Sequence, residues 1–217
     1  MGRVASLTAA QRRALAGLRR AGLLGGVYLV GGAAVAHHLG HRRSNDLDLF
    51  SVESGLDLDA VRRCAVETLG AETVAQWDAT LKLRISGAAV DVVRYPYVPL
   101  GRIIRGPEGV RVASLRDLAV MKLAAIAKRG VRRDYWDLYE ILSGSRLTLR
   151  TACDDYVRKF GVAESDLYHV LRSLTWFEEA EADPTRPSGL TARKWSEIRD
   201  WFDVHAAREL LRRSRSA

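Results

Sequence analysis

No stretch of this chain approaches the roughly 18–20 consecutive apolar residues that a membrane-spanning helix needs, which sets aside a membrane partner. Cysteine is scarce. Cys64 and Cys153 lie far apart, each inside a helical pattern, and give neither metal-ligand spacing nor a disulfide framework. They read as packing thiols of a reducing compartment. The opening MGRVASLTAAQRRALAGLRR lacks the apolar core of a signal peptide, so the expected location is cytoplasmic. Internal repeats and low-complexity runs are also missing, which excludes repeat architectures. Lysine is greatly outnumbered by arginine, and the net charge is +8. Arginine makes the better bidentate phosphate contacts, and a basic surface suits RNA, DNA or a nucleotide. A G+C-rich genome enriches arginine as well, so charge alone leaves the partner open.

With 217 residues, 47% of them hydrophobic and 28% charged, the chain can build one good core or two small domains. Thr8-Ala-Ala-Gln11 has the form of a capping box. Leu15, Leu18 and the Leu23-Leu24 pair fit one face of a helix ending near Gly22. Residues 27–30 read as a buried strand, 33–39 as a short helix and 47–52 as a strand. Residues 56–69 follow as a helix with Leu58, Val61, Ala65 and Leu69 at helical spacing and Gly70 as its stop. Residues 73–77, 81–85 and 90–95 are strand-like. Leu81, Leu83 and Ile85 alternate with Lys82 and Arg84, the pattern of a half-buried antiparallel strand, with a hairpin turn at Gly87-Ala88. A second small hairpin is expected across residues 102–113. From Ser114 onward the pattern is helical: 114–130, 135–142, 149–160, 164–181 and 192–213, with Pro184 and Pro187 between the last two. The closing Arg212-Arg213-Ser214-Arg215 reads as a frayed basic tail. The expected domains are a mixed α/β lobe, residues 1–113, and an all-helical lobe, residues 114–217.

The chemistry concentrates in residues 27–51, VYLVGGAAVAHHLGHRRSNDLDLFS. An apolar strand breaks at Gly31-Gly32, and a Gly-Gly turn opening a helix offers small residues and backbone N–H groups suited to a phosphate. The stretch closes on Asp46-Leu47-Asp48-Leu49-Phe50. Strand side chains alternate faces, so Asp46 and Asp48 point the same way, about 6–7 Å apart. Two carboxylates on one face repel, and a hard cation such as Mg²⁺ relieves the repulsion. Asp91, set in Val90-Asp91-Val92-Val93, is unfavourable in a strand unless used or paired. If its strand lies beside the first two carboxylates, three acids could hold two Mg²⁺ ions about 3.5–4 Å apart. One ion would activate an attacking hydroxyl and the other would bind a triphosphate. Asp91 is then the best general-base candidate.

In this order the residues resemble the nucleotidyltransferase superfamily related to DNA polymerase β. The wording of Leu29–Phe50 is similar to the first motif of the nucleotidyl transferase AbiEii/AbiGii toxin family. Lys122-Leu-Ala-Ala-Ile-Ala-Lys-Arg129-Gly-Val-Arg-Arg133-Asp134-Tyr-Trp-Asp137 resembles its later lysine and Arg-Asp motifs. The resemblance covers about residues 27–142, and residues 143–217 add nothing recognisable beyond helical pattern. It implies an α/β (α+β) fold, with a mixed-sheet nucleotidyltransferase lobe, a helical lobe and a cleft between them. It further implies an Mg²⁺-dependent enzyme that transfers a nucleotide from an NTP to the 3′ end of tRNA. Such an enzyme acts as the toxin of a type IV toxin–antitoxin system with a cognate antitoxin. Carried onto this chain, Gly31 and Gly32 line the phosphates, Asp46 and Asp48 bind metal, and Lys122 pairs with the triphosphate. Asp134 or Asp137, the latter preferred, completes the site, and Arg42, Arg43 and Ser44 contact phosphate.

The residues themselves support part of this. Lys122 shares a helix face with Leu118 and Ile126 that looks largely buried, so it needs an anionic partner. Arg133-Asp134 could equally be a helix cap with salt bridges. His37, His38 and His41 read as a polar helix face, not as metal ligands. Lys82 and Arg84 could face RNA or solvent, and Trp136 reads as core in preference to a base-stacking platform. Two other functions stay open: transfer to a small molecule such as an aminoglycoside or to a protein hydroxyl, and a catalytically silent RNA- or nucleotide-binding module.

Overall fold

The computed structural model describes residues 7–215; the first residues of the stretch read above for a leader lie outside that range. The chain begins with α1 (Ala9–Arg20), β1 (Val27–Val30), α2 (Gly31–Leu39), β2 (Asp46–Ser51) and α3 (Leu58–Leu69). Strands β3 (Glu72–Gln76), β4 (Thr80–Ile85), β5 (Ala88–Arg94), β6 (Ile104–Arg105) and β7 (Arg111–Val112) follow. The remainder is helical: α4 (Leu115–Arg129), α5 (Arg132–Ser143), α6 (Leu149–Phe160), α7 (Glu164–Ser173), α8 (Glu178–Ala182) and α9 (Ala192–Ser214). The residues gather into two compact units, one ending at Ser114 and the other starting at Leu115. This is the mixed-sheet and helical architecture expected of a nucleotidyltransferase. Among the described residues no helix is long and apolar enough to cross a membrane.

The first unit is built on one seven-stranded sheet in the order β3-β4-β5-β2-β1-β7-β6. It is mixed: β2–β5 and β1–β7 are parallel, and the other pairs are antiparallel. Strand period sorts the side chains. Leu47 and Leu49 of β2, Val90 and Val92 of β5, and Leu81, Leu83 and Ile85 of β4 are all at most 3% exposed. They turn toward α1 and α3, which pack on β5 and β4. Burying each such side chain contributes about 1.5–3 kcal/mol. The alternate residues, Asp46, Asp48, Lys82, Arg84 and Asp91, occupy the opposite face.

Local signals place the ends of these elements. Thr8 and Gln11 form the reciprocal capping box, with Gln11 N–H donating to Thr8 Oγ1 at 3.2 Å and Thr8 N–H to Gln11 Oε1 at 2.9 Å. Leu15 and Leu18 are buried on α1, whereas Leu23 and Leu24 lie beyond its end in the turn leading to β1. Gly70 ends α3 in the left-handed conformation. The β4–β5 turn is Ser86-Gly87, not Gly87-Ala88. Both residues have positive φ (51° and 82°), as a two-residue hairpin matched to strand twist requires.

The helical unit centres on Tyr135, whose ring meets Phe177, Trp195 and Phe202 at centroid distances of 5.3, 5.8 and 5.5 Å. Trp136 is core, as its pattern suggests, with 4% exposure and Nε1–H on Glu140. Cys153 is fully buried, and burial pushes its thiol up to about 12. That keeps it protonated and unreactive.

Two helical expectations are corrected. Residues 164–181 are not one helix but α7 and α8. The Tyr135 hydroxyl reaches the carbonyls of Ser173 and Trp176, each at 2.7 Å, and holds the chain out of helical continuation among residues poor in helix propensity. The final arginines are not a frayed tail. Helix α9 runs through Ser214, and Arg213 bonds Glu209 at 2.7 Å as well as Asp154 and Glu164.

Candidate functional site

The sheet unit brings the carboxylates together through register. Parallel pairing of β2 with β5 sets Asp48 level with Asp91 and Asp46 level with Ala89, so all three acids stand on one face. Asp46 is exposed, while Asp48 and Asp91 are half-buried. On the far side of β5, β4 sets Lys82 opposite Asp91, and Lys82 Nζ lies 2.5 Å from Asp91 Oδ2.

Strand β1 runs directly into α2 at Gly31, with Val30 as the cap. Gly31 has φ +63°, and a β-carbon there would overlap the Asp48 carboxylate. Glycine is therefore required twice at this position, by conformation and by close approach. A β-carbon on Gly32 would lie 2.9 Å from Ser44 Oγ and would crowd the Arg42 guanidinium too. The basic turn after α2 thus folds back on the Gly-Gly step. Arg42 is 6% exposed, its Nη1 donating to the Arg43 carbonyl at 2.8 Å, while Arg43 itself is exposed. Gln11 of α1 pins the same segment, its amide donating to the carbonyls of Ser44 at 3.0 Å and Asp46 at 3.3 Å.

Carboxylate oxygens are the hard donors that Mg²⁺ takes, and a phosphate at the start of α2 would come up beside Asp48. Two anions so placed call for a cation between them. By donor chemistry, Asp48 and Asp91 fit such an ion, with Asp46 further along the same face. The three-ligand cluster expected from sequence is not closed, however: among the described residues no group of three His, Cys, Asp or Glu side chains is placed to hold a metal. Asp91 is instead engaged by Lys82. The histidines of α2 likewise form no such group, and His38 Nε2 lies 2.8 Å from the Ala113 carbonyl.

The helical unit holds the second charged constellation. Lys122 Nζ sits 2.7 Å from Asp134 Oδ1 and 2.7 Å from Asp137 Oδ2, and both acids are fully buried. Arg129 Nε donates to Asp134 Oδ2 at 2.8 Å. The spacing explains the geometry: Leu118 and Ile126 bury the Lys122 face of α4, Gly130 turns the chain, and Asp134 and Asp137 share one face of α5. Burial disfavours the Lys122 ammonium, but Asp137 and Asp134 outweigh it and raise the pKa above the ordinary lysine value. Burial likewise raises Asp134, yet Lys122 and Arg129 prevail and hold its carboxyl below the usual range. Within the unit, the anionic partner that Lys122 requires is supplied by this pair of acids. Asp134 is not a cap either: Val131 is the N-cap residue of α5 and makes no side-chain cap bond.

Two of these charged partners, Lys82 and Arg129, have no role legible from the sequence. Lys82 was open between RNA and solvent, although its hairpin register opposite Asp91 was the signal. Arg129 stood inside the quoted motif, with Asp134 five residues on.

A mixed-sheet unit followed by a helical unit is the architecture expected of a nucleotidyltransferase-type protein. The profile of the nucleotidyl transferase AbiEii toxin family, of type IV toxin–antitoxin systems, matches residues 68–200. This chain belongs to that family. The match contains Asp91, Lys122, Asp134 and Asp137 and extends to residue 200, partway into α9, across helices in which the sequence alone offers nothing recognisable. An uncharacterized protein of Aquifex aeolicus (strain VF5) is 28% identical over 198 residues, covering 88% of this chain and 92% of the other. Among solved structures, the antibiotic-resistance factor ANT(2″)-Ia matches at a TM-score of 0.42 and 16% identity, over 97% of this chain and 100% of that one. An antigenic nucleotidyltransferase-like protein from Paracoccidioides brasiliensis matches at 0.41 and 19% identity, over 74% and 93%. Similarities at that level transfer neither substrate nor chemistry.

Proposed function

We propose that this protein is an Mg²⁺-dependent nucleotidyltransferase that moves a nucleotide from an NTP to an RNA hydroxyl, the 3′ end of tRNA, breaking the α–β phosphoanhydride bond and releasing pyrophosphate, and so acts as a growth-inhibiting toxin held in check by a cognate antitoxin. The observation that carries this reading is the register of Asp48 with Asp91 on the face where α2 begins. Asp48 and Asp91 would hold the metal, with Asp46 further along the same face. When bound, Mg²⁺ supplies charge neutralisation at the triphosphate and lowers the pKa of the acceptor hydroxyl. Asp91 takes the acceptor proton, which requires Lys82 to leave it. The N–H groups of the first turn of α2, freed by Gly31 and Gly32, meet phosphate oxygens, with Arg43 and Ser44 beside them. Lys122, Asp134 and Asp137 serve by fixing α4 against α5.

RNA is favoured over a cationic drug as acceptor by the net charge of +8. The test is incubation with total tRNA and each labelled NTP in turn. Label on RNA that requires Mg²⁺ and disappears in Asp48→Ala supports the reading. Label found on protein or aminoglycoside instead reassigns the acceptor, and no transfer with any NTP defeats the proposal.

A further inference from the structure

The helical unit contains a pocket of about 580 Å³, open to solvent and lined entirely by its own residues, within the ~300–1,000 Å³ usual for ligand sites. Ile126 and Gly130, at the end of α4, line one side, and α7 with the residues after it line the other. Tyr135 ties this second side to α5 through the Ser173 and Trp176 carbonyls. Burial raises its phenol far above the ordinary range, so it remains a donor. The pocket therefore rests on the same α4–α5 pair that Lys122 locks.

The lining is chemically specific. Trp176 is 54% exposed and Tyr168 56% exposed, large aromatic surfaces left in water. The Arg172 guanidinium lies 5.9 Å from the centre of the Tyr168 ring, which leaves Trp176 as the open stacking face. His169 and Glu179 also line the pocket. An aromatic face beside a planar cation is what a base with its phosphate recognises. Glu179 accepts hydrogen bonds only, which suits the N–H groups of a base edge and turns phosphate toward Arg172 and His169.

We propose that this pocket binds one unpaired nucleotide of the acceptor RNA, its base stacked on Trp176 and its phosphate met by Arg172 and His169. The assignment to RNA rests on the function proposed above, whereas the nucleotide chemistry rests on the pocket. A free nucleotide shares that chemistry, so the test separates the two sources. Anisotropy of a fluorescein-labelled single-stranded RNA octamer is measured with the full chain, with a blunt RNA hairpin and AMP as competitors. Trp176→Ala should weaken binding about ten- to hundredfold while Trp176→Phe keeps most of it, and thermal midpoints should stay unchanged because the side chain is exposed. Arg172→Ala should lower the slope of log K against log salt by about 0.7. The hairpin should compete poorly. Unchanged affinity in both Trp176→Ala and Arg172→Ala overturns the proposal, and AMP binding without binding of the strand overturns its assignment to RNA. Label transfer to tRNA is read separately. Transfer with Trp176-independent binding defeats only the pocket, and Trp176-dependent binding without transfer defeats only the catalytic reading.

Discussion

The chain holds two pairs of carboxylates and treats them in opposite ways. Asp48 and Asp91 stand half-buried on an open sheet face, and Asp91 is met by a lysine whose side chain is 40% exposed. Asp134 and Asp137 are fully buried around Lys122. A solvated pair can exchange its cation at little cost, whereas a buried pair cannot lose one without leaving charge uncompensated. The first arrangement suits chemistry and the second suits architecture, although both read as acids with a nearby lysine.

The sharpest way to break this contrast is Lys122→Met, which removes the ammonium shared by two buried carboxylates and leaves Asp134 to Arg129. It should destabilise the helical unit by about 3–5 kcal/mol, seen as an earlier transition in urea followed by tryptophan fluorescence. Asp48→Ala should do the reverse, reducing nucleotidyl transfer on the order of a hundredfold or more with little change in the unfolding midpoint. An Asp48→Ala protein that loses stability instead would assign the sheet acids a structural role. Gly31→Ala, strained at positive φ and overlapping Asp48, should cost about 1–2 kcal/mol and impair transfer as well.

The pH dependence follows from the buried cluster. Asp134 is depressed in the folded protein, so its contribution is present above the unfolded carboxylate value of about 3.9 and fades as pH falls through the lower folded value. Lys122 is raised, so its contribution holds below about 10.4 and fades only as pH climbs through the higher folded value. The unfolding midpoint should therefore stay flat near neutrality and drop below about pH 4. Lys122→Met should lose the alkaline part of the dependence. The smallest effect belongs to Lys82→Met, expected to change stability by under about 1 kcal/mol while strengthening Mn²⁺ binding measured by electron paramagnetic resonance.

Local periodicity made much of the fold readable. The alternation of Leu81, Leu83 and Ile85 with Lys82 and Arg84 identified β4, Gly70 marked the end of α3, and strand period put Asp46 and Asp48 on one face. The rest required contacts that no short window contains. Lys82 meets Asp91 only because Ser86-Gly87 sets the hairpin register. The partners of Lys122 lie across the turn at Gly130, so its need for an anion was visible and the identity of the anion was not. The break before α8 comes from Tyr135, and Arg213 near the C-terminus is ordered by Asp154 and Glu164 of earlier helices.

The parallel register of β2 with β5 also governs when the acidic face can form. Asp48 and Asp91 are far apart in sequence, and such non-local pairings form after local hairpins because chain closure must come first. The β4–β5 hairpin can therefore bring Lys82 to Asp91 before Asp48 arrives. Pulse-labelled amide exchange during refolding should find β4 and β5 protected ahead of β2, and simultaneous protection would contradict that sequence of events. A partly folded chain would carry its lysine-capped acid but no acidic face until β2 joins β5.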